Sequence, residues 1–301
     1  MNTSYEEIVQ EENIAKRADY AASEIALLAN NENIKKSHED TKKRLLLCID
    51  VQNDFIEGGA LAVPGSIEDV KRITRFIYNN MENITKIACS MDTHVPYQIF
   101  HPCFWKNSEG KNPEPFTIIT YESVLNDEWI PNEPKEDALE YLKEISNNGQ
   151  NVLCIWPYHC IEGTPGRCLE NEFNKMVLFH GLARNESNVI LPKGNNPYSE
   201  MYGIIRPEYT KDNYINQDAL DLIKEYDEVY VVGEASSHCV LESVRQICEV
   251  FENDKDTLEN IYVLTDCMSP ITGYEEKTNE AYHQLKEKYG INLVKSIEVS
   301  F

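Results

Sequence analysis

The residue with the clearest chemical potential in this sequence is Cys239. It follows the apolar run 229–233, which predicts a buried strand, and it opens a helical pattern. The apolar face of that pattern comprises Leu241, Val244, Cys248 and Phe251. A thiol at a helix N-terminus lies at the positive end of the helix dipole, which favours the thiolate, and the free N–H groups there can hold an oxyanion. Taken alone, this segment indicates a reactive nucleophile and an ordinary core cysteine equally well.

Acidic residues and histidines follow other apolar runs. Asp50 lies in the predicted strand 45–51, and Asp92 directly follows the predicted strand 86–91. Asp92 begins an Asp-x-His pattern that ends at His94, and a further histidine, His159, follows another apolar run. Carboxylate and imidazole donors suit zinc, manganese or iron. The alternatives are a helix cap or turn residue for Asp50 and satisfied surface or core side chains for the histidines.

These residues require a scaffold that brings distant positions together. From residue 44 onward, short apolar runs alternate with helical patterns, which is typical of an α/β fold whose parallel sheet is covered on both faces. The predicted strands are 45–51, 86–91, 152–156, 188–191, 229–233, 261–265 and 292–297. Ligands of such sheets bind beyond the carboxyl ends of the strands. The candidate residues near those ends are Asp50, Asp92, His159, Lys193 and Cys239.

Two segments fall outside this alternation. Residues 1–40 are polar and predict a helical N-terminal extension, ending in an Asn-rich linker at 30–33. Its apolar residues at helical spacing are Ile14, Ala18, Ala21, Ile25 and Leu28. Residues 102–149 predict an insertion with a strand at 116–120 and a helix at 134–145. The predicted organisation is therefore an extension, 1–40, and one domain, 41–301, that carries this insertion.

Composition restricts the classes of partner. The chain has 301 residues, with 28 basic and 51 acidic side chains, so a net charge of −23 argues against nucleic acid as a partner. There is no apolar run long enough to span a bilayer, and the first 30 residues do not resemble a targeting signal. Nine scattered cysteines argue for a reducing compartment. We therefore expect a cytoplasmic protein that acts on a small molecule, with a homo-oligomer left open.

Five short segments follow one another between residues 44 and 301. They are DVQNDF with the later GGALAVPG, DTH, WPYHCIEGTPG, KG and GEASSHCV. In this order they resemble the nicotinamidase and pyrazinamidase branch of the isochorismatase-like cysteine hydrolases. The resemblance implies a Rossmann-like, three-layer α/β/α fold with a mostly parallel six-stranded sheet.

The resemblance also implies roles for individual residues. The residues of the implied catalytic triad are Asp50, Lys193 and Cys239. The implied ligands of one divalent metal ion (Zn, Fe or Mn) are Asp92, His94 and His159, with His101 as a further candidate. The implied substrate-binding residues are Phe55 and Trp156, which would flank the pyridine ring of the substrate, and Gln52, which would lie near waters bound to the metal. A cis peptide between Glu234 and Ala235 would direct the N–H groups of Ala235 and Cys239 towards an oxyanion. Lys193 is expected to lower the pKa values of Asp50 and Cys239.

The implied activity is metal-dependent cysteine amidohydrolysis, with nicotinamide converted to nicotinate and ammonia through a thioester, as in NAD salvage. Two alternatives stay open: the same chemistry on a different small amide, and a catalytically idle binding protein on this fold. The extension and the insertion lengthen the chain relative to common members of the family. The segment 194–203 also departs from the aromatic-Ser pair that many relatives carry.

Overall fold

The computed structural model describes residues 1–17, 20–147 and 152–301. Its strands are β1 (Arg44–Ile49), β2 (Lys86–Asp92), β3 (Trp105–Lys106), β4 (Ile118–Ile119), β5 (Ile130–Pro131), β6 (Leu153–Cys154), β7 (Val189–Lys193), β8 (Glu228–Gly233), β9 (Ile261–Leu264) and β10 (Asn292–Val294). Its α-helices are α1 (Tyr5–Ile8), α2 (Ala22–Asn30), α3 (Ser66–Asn79), α4 (Tyr121–Leu125), α5 (Lys135–Asn147), α6 (Asn171–Arg184), α7 (Gln217–Glu225), α8 (Cys239–Val250), α9 (Lys255–Glu259) and α10 (Glu275–Tyr289).

The centre of the molecule is a six-stranded sheet in the order β10-β9-β8-β1-β2-β7, and every neighbouring pair is parallel. Successive side chains of a strand point to opposite faces. On β1, Leu46 and Cys48 therefore pack in one core layer, with α3 and α6. Leu45, Leu47 and Ile49 pack in the other layer, with α7, α8 and α10. The predicted three-layer α/β/α fold is confirmed.

One predicted strand of this sheet is wrong. The apolar run 152–156 does not enter the central sheet; its residues Leu153–Cys154 form β6, which pairs antiparallel with β4. The sixth position of the sheet belongs to β7, in the place of the short strand predicted at 188–191. Periodicity alone cannot assign a short apolar run to one sheet or another, because both environments bury it.

The N-terminal segment packs on the layer formed by α3 and α6. Its buried side chains are Tyr5, Ile8, Val9, Ile14, Ile25 and Ala29. The helix predicted from Ile14 onward begins only at Ala22, and Ile14 lies in a turn, while Ala18 falls outside the described residues. Within the predicted linker, the buried Glu32 carboxylate accepts the Thr3 N–H at 2.7 Å, which ties the segment back on itself.

The predicted insertion has a small core of its own, and α5 covers the helix predicted at 134–145. The strand predicted at 116–120 is reduced to β4, and the predicted end of the insertion at Gly149 lies outside the described residues. Trp105, Tyr141 and Leu142 are among the buried side chains of this core, which continues to Trp156. Within the described ranges, no helix is both long enough and apolar enough to cross a bilayer.

Candidate functional site

The sheet brings the carboxyl ends of β1, β2, β7 and β8 side by side. Asp92 ends β2 directly opposite Lys193, which ends β7, and Ile49 at the end of β1 is opposite Gly233 of β8. Asp50 follows Ile49 with a positive φ of 47°. Gly233 has a φ of 126°, and a Cβ there would lie 2.0 Å from the Ile49 carbonyl oxygen, so this close approach of the two strands requires glycine.

Asp50, Lys193 and Cys239 meet in the interior. The Lys193 Nζ lies 2.9 Å from the Asp50 Oδ2 and 3.8 Å from the Cys239 Sγ, and it donates to the Met201 carbonyl oxygen at 3.1 Å. It also pairs with Asp92. The other Asp50 oxygen, Oδ1, accepts the Ser90 hydroxyl at 2.6 Å. The predicted triad residues are thus in contact, with side chains that are almost completely buried.

Burial dominates the proton equilibria of this group. It raises the pKa of Asp50 and, more strongly, that of Cys239, although Lys193 acts in the opposite direction on both. Lys193 thus lowers both pKa values as expected, but the loss of solvation outweighs its charge, so the two pKa values stay above their ordinary values. Burial also opposes the charge of Lys193, but its ion pairs with Asp50 and Asp92 raise its pKa well above the ordinary value.

Asp92, His94 and His159 form a second buried group. Their potential ligand atoms all lie within 4.8 Å of one another. The His94 Nδ1 bonds the Gly194 carbonyl oxygen at 2.9 Å, and the His159 Nδ1 bonds the Pro157 carbonyl oxygen at 2.8 Å. Because a carbonyl oxygen can only accept, each Nδ1 carries a proton, and in the neutral imidazole this leaves Nε2 free to coordinate.

These residues fit a divalent cation. The buried His94 Nε2 has no hydrogen-bond partner within the part of the chain that the structure describes, and it lies 3.3 Å from the Asp92 Oδ2. Burial, together with nearby His94, lowers the pKa of His159 to about 3, which keeps its imidazole neutral. One carboxylate and two imidazoles that coordinate through Nε2 are a donor set that zinc, iron and manganese accept.

His101 and Gln52 have different surroundings from the three candidate ligands. His101 is not part of the group of potential ligands among the described residues, and its ring centroid is 6.2 Å from that of His94. The Gln52 amide donates to the carbonyl oxygens of Asp92 and Arg167, at 2.9 and 2.7 Å, and accepts the Asp92 N–H at 2.7 Å. These bonds occupy its amide group, so Gln52 holds the backbone of Asp92 in place; it is not among the residues that line the pocket described below, and its part in substrate binding stays a prediction.

A pocket opens between the two groups. Its lining residues are Phe55, Leu61, Val63, Asp92, Trp156, His159, Glu200, Tyr202, Ala235, His238, Cys239 and Ile271. The two predicted aromatic side chains, Phe55 and Trp156, are both part of its wall. Leu61, Val63, Glu200, Tyr202, His238 and Ile271 were missed by sequence reasoning. The signal available for three of them was their position in the sequence: His238 is next to Cys239, and Glu200 and Tyr202 follow Lys193 within ten residues.

The insertion supports this pocket from behind. The Tyr141 hydroxyl on α5 accepts the Glu200 N–H at 3.2 Å, and the Phe116 and Trp156 rings meet edge to face with centroids 6.0 Å apart. Glu200 is itself buried, and burial raises its pKa. The insertion therefore fixes two sides of the pocket wall.

Cys239 lies at the N-terminus of a helix, after a turn fixed by backbone hydrogen bonds. Cys239 is the first residue of α8, where helical N–H groups have no acceptor within the helix. The peptide bond between Glu234 and Ala235 is cis, as expected. The Ala235 carbonyl oxygen accepts the N–H groups of His238 and Val240, at 3.0 and 3.2 Å, which fixes the turn that precedes the thiol.

Comparisons with known proteins find sequence and structural similarity to nicotinamidases. No family model matches the chain. The nicotinamidase of Saccharomyces cerevisiae is 27% identical over 254 residues, which cover 83% of this chain and 99% of that protein. The structure of the yeast nicotinamidase Pnc1p bound to the inhibitor nicotinaldehyde covers 84% of this chain and 99% of its own, with a TM-score of 0.58 and 22% identity.

A third relative is the pyrazinamidase of Pyrococcus horikoshii in complex with zinc. It covers 84% of this chain and 99% of its own, with a TM-score of 0.50 and 19% identity. At such identities the structural matches show the shared fold. Together with the sequence match, they confirm the resemblance to the nicotinamidase and pyrazinamidase branch.

Proposed function

We infer that this chain is a carboxamide hydrolase of the nicotinamidase branch of the isochorismatase-like hydrolases, and we propose that it converts nicotinamide to nicotinate and ammonia. One observation carries this proposal: Asp50, Lys193 and Cys239 are in contact in the interior, beside Asp92, His94 and His159. The aromatic side chains of Phe55 and Trp156 complete a pocket suited to a flat ring.

In the proposed first step, Asp50 accepts the Cys239 proton while the sulfur attacks the amide carbonyl carbon. The raised pKa of Cys239 makes such a base necessary at neutral pH, because the free thiol is a poor nucleophile. The ammonium group of Lys193, within 4 Å of both partners, stabilises the negative charge as it moves from carboxylate to sulfur.

The C–S bond forms as negative charge develops on the carbonyl oxygen. We propose that the N–H groups of Ala235 and Cys239 hold this oxygen. Asp50 then donates its proton to the departing nitrogen, the C–N bond breaks, and ammonia leaves a thioester on Cys239. Water, deprotonated by Asp50, hydrolyses the thioester and restores the thiol.

Asp92, His94 and His159 are the proposed ligands of a divalent zinc, iron or manganese ion. When bound, this cation would supply a Lewis acid that orients the ring nitrogen or the waters around it. Gln52 contributes by fixing Asp92 through both its backbone N–H and its carbonyl oxygen. A zinc-bound neighbour, the pyrazinamidase of Pyrococcus horikoshii, supports the same choice of cofactor class.

Ammonia release tests the proposal. Purified protein is expected to hydrolyse nicotinamide and pyrazinamide much faster than propionamide, because only the first two fill a flat aromatic pocket. A chelator should remove this preference together with most activity, and added zinc, iron or manganese should restore both. Cys239→Ala should lose roughly 10⁴-fold or more in kcat.

The matched control is Cys168→Ala, which removes an exposed cysteine and should leave ammonia release unchanged. Circular dichroism should show that both variants remain folded. Full activity of folded Cys239→Ala would refute the cysteine mechanism. Equal rates of hydrolysis of propionamide and nicotinamide would contradict nicotinamide as the substrate and favour a different amide. Nicotinaldehyde, whose carbonyl a thiol can add to, should inhibit the wild type.

A cytoplasmic location is part of the proposal. It rests on the nine cysteines, all of them free in the described structure, which suits a reducing compartment.

A further inference from the structure

Two acidic side chains outside the proposed catalytic groups are buried directly behind the pocket wall. Asp69 on α3 and Glu234, directly after β8, are each 1% exposed, and their carboxyl groups lie within hydrogen-bond distance of each other. Glu234 immediately precedes Ala235, whose N–H is assigned above to the oxyanion. The mechanism proposed above does not use either carboxyl group.

The charges around this pair do not compensate two carboxylates. Arg72 donates to the Asp69 Oδ1 at 3.2 Å, but its side chain is 45% exposed. Ser269 approaches both acids, yet within the described ranges both Glu234 oxygens and the Asp69 Oδ2 lack a well-formed hydrogen bond. The other titratable groups near the pair are Glu57 and Cys267, and Asp266 lies next to Cys267; none of them is a cation.

Only one negative charge can therefore be accommodated. Burial raises the pKa of Asp69 and raises that of Glu234 further, and the neighbouring Asp69 carboxyl group adds to the effect on Glu234. Asp69 faces Arg72 and is the better candidate for the charge. A proton on Glu234 gives the pair the donor that the surrounding residues do not provide.

The pair lies where three segments of the pocket wall meet. The segment 57–65 precedes α3 and contributes Val63, the end of β8 contributes Ala235, and the segment after β9 contributes Ile271. The Glu234 N–H donates to the Ile49 carbonyl oxygen at 2.8 Å, one residue before Asp50. A displacement of Glu234 would thus act on both the proposed oxyanion site and the proposed base.

We propose that Asp69 and Glu234 share one proton, and that this acid–carboxylate pair is a positioning device for the Ala235 N–H. The inference rests on the proposed function for its catalytic consequence, but not for the shared proton itself. The pair closes the gap between α3 and β8 as a single hydrogen bond. Loss of the proton at alkaline pH leaves two buried, repelling carboxylates and separates these segments.

Substitutions at Glu234 separate positioning from packing. Glu234→Ala removes the contact and should lower kcat roughly 10²-fold with a smaller change in KM, since a small misplacement of a transition-state donor has an effect of this size. Glu234→Gln supplies a permanent N–H donor to Asp69 and should restore most of that loss. It should also move the alkaline limb of the kcat profile to higher pH than in the wild type. Glu68→Gln, an exposed neighbour on α3, is the matched control and should change nothing.

Two further measurements do not depend on amidase activity. Infrared difference spectra between the wild type and Glu234→Gln should show, at neutral pH, one carbonyl band of a protonated carboxylic acid that only the wild type has. The pair holds its proton more tightly in the folded state than in the unfolded state, so the free energy of unfolding should fall as pH rises through its raised pKa. This fall should be smaller in Glu234→Gln than in Glu68→Gln.

The outcomes are distinct. Absence of the carboxylic acid band, or an alkaline limb and a pH dependence of unfolding in Glu234→Gln identical to the wild type, would overturn the shared proton. A stoichiometric potassium or calcium ion, lost in Glu234→Gln, would also overturn it in favour of a cation site. If the wild type releases no ammonia from any amide, the proposed function fails, while the infrared and unfolding measurements still decide whether the pair exists.

Discussion

At the scale of single residues, the proposed mechanism starts from Cys239 as a neutral thiol that needs a base, and not as a preformed thiolate. Burial raises the pKa of Cys239 and that of Asp50, so the proposed mechanism exchanges one proton between two groups that both resist charge. Lys193 contacts both and carries the balancing positive charge. Proton transfer then moves charge within a fixed ion pair, which requires little reorganisation.

Gln52 is expected to act on metal affinity rather than on substrate. Gln52→Ala removes both bonds to the Asp92 backbone and should weaken zinc affinity about 10- to 100-fold, the usual effect of losing a residue that orients a ligand. Competition with a fluorescent chelator measures this affinity directly. The exposed Gln217→Ala is the control. Unchanged zinc affinity in Gln52→Ala, with an increase in KM alone, would return Gln52 to the role of a substrate contact.

The sequence predicted the identity of the interior residues better than the direction of their side chains. Asp50, Lys193, Cys239, Asp92, His94 and His159 were all found from the order of short segments, and the structure brings them together. The orientation of Gln52 was not predictable, because it depends on backbone groups of Asp92 and Arg167 that only the folded sheet places beside it.

At the scale of elements, the N-terminal segment is hydrogen-bonded to the start of α6. Glu170 is completely buried; its Oε2 accepts the Phe173 N–H at 2.8 Å as the helix cap, and its Oε1 accepts the Ala15 N–H at 3.2 Å. The Glu170 N–H also donates to the Val51 carbonyl oxygen at 2.9 Å, next to Gln52. This one residue therefore joins the N-terminal segment, α6 and the loop after β1.

Glu170 should make stability pH-dependent. Burial raises its pKa to about 7, above that of an unfolded Glu, so its contribution is complete at acidic pH and is lost as pH rises through about 7. We expect the free energy of unfolding to fall by about 1–3 kcal/mol between pH 5 and 8 from this group. Urea unfolding at several pH values should show a smaller fall in Glu170→Gln than in the exposed control Glu24→Gln. Equal slopes would contradict the assignment.

Elements were predictable where a pattern was long and not where it was short. The run of apolar residues in β1 and the helical spacing in α8 predicted both correctly. The run 152–156 and the early part of the N-terminal segment were misplaced, because each is buried by contacts with a distant element rather than by its own periodicity. The pairing of Asp69 with Glu234 had no signal at all, since it joins two unrelated segments.

At the scale of the whole molecule, the site is assembled from positions far apart along the chain. Lys193 contacts Asp92, which lies 101 residues earlier in the sequence, and Cys239 follows Lys193 by a further 46 residues. The strands that carry these residues are neighbours only in the completed sheet, in which β1 lies between β8 and β2, and β7 forms one edge. No local segment contains more than a fraction of the catalytic group.

The edge position of β7 therefore has a consequence for folding kinetics. Contacts between distant positions form late, because the entropy of closing long loops must be overcome first. After dilution from urea, we expect far-ultraviolet circular dichroism to recover before ammonia release, since helices can form before β7 docks on β2 and delivers Lys193. Sampling one refolding reaction by both methods measures the interval. If activity returns together with the earliest dichroism change, β7 and its Lys193 dock early, as part of the folding nucleus.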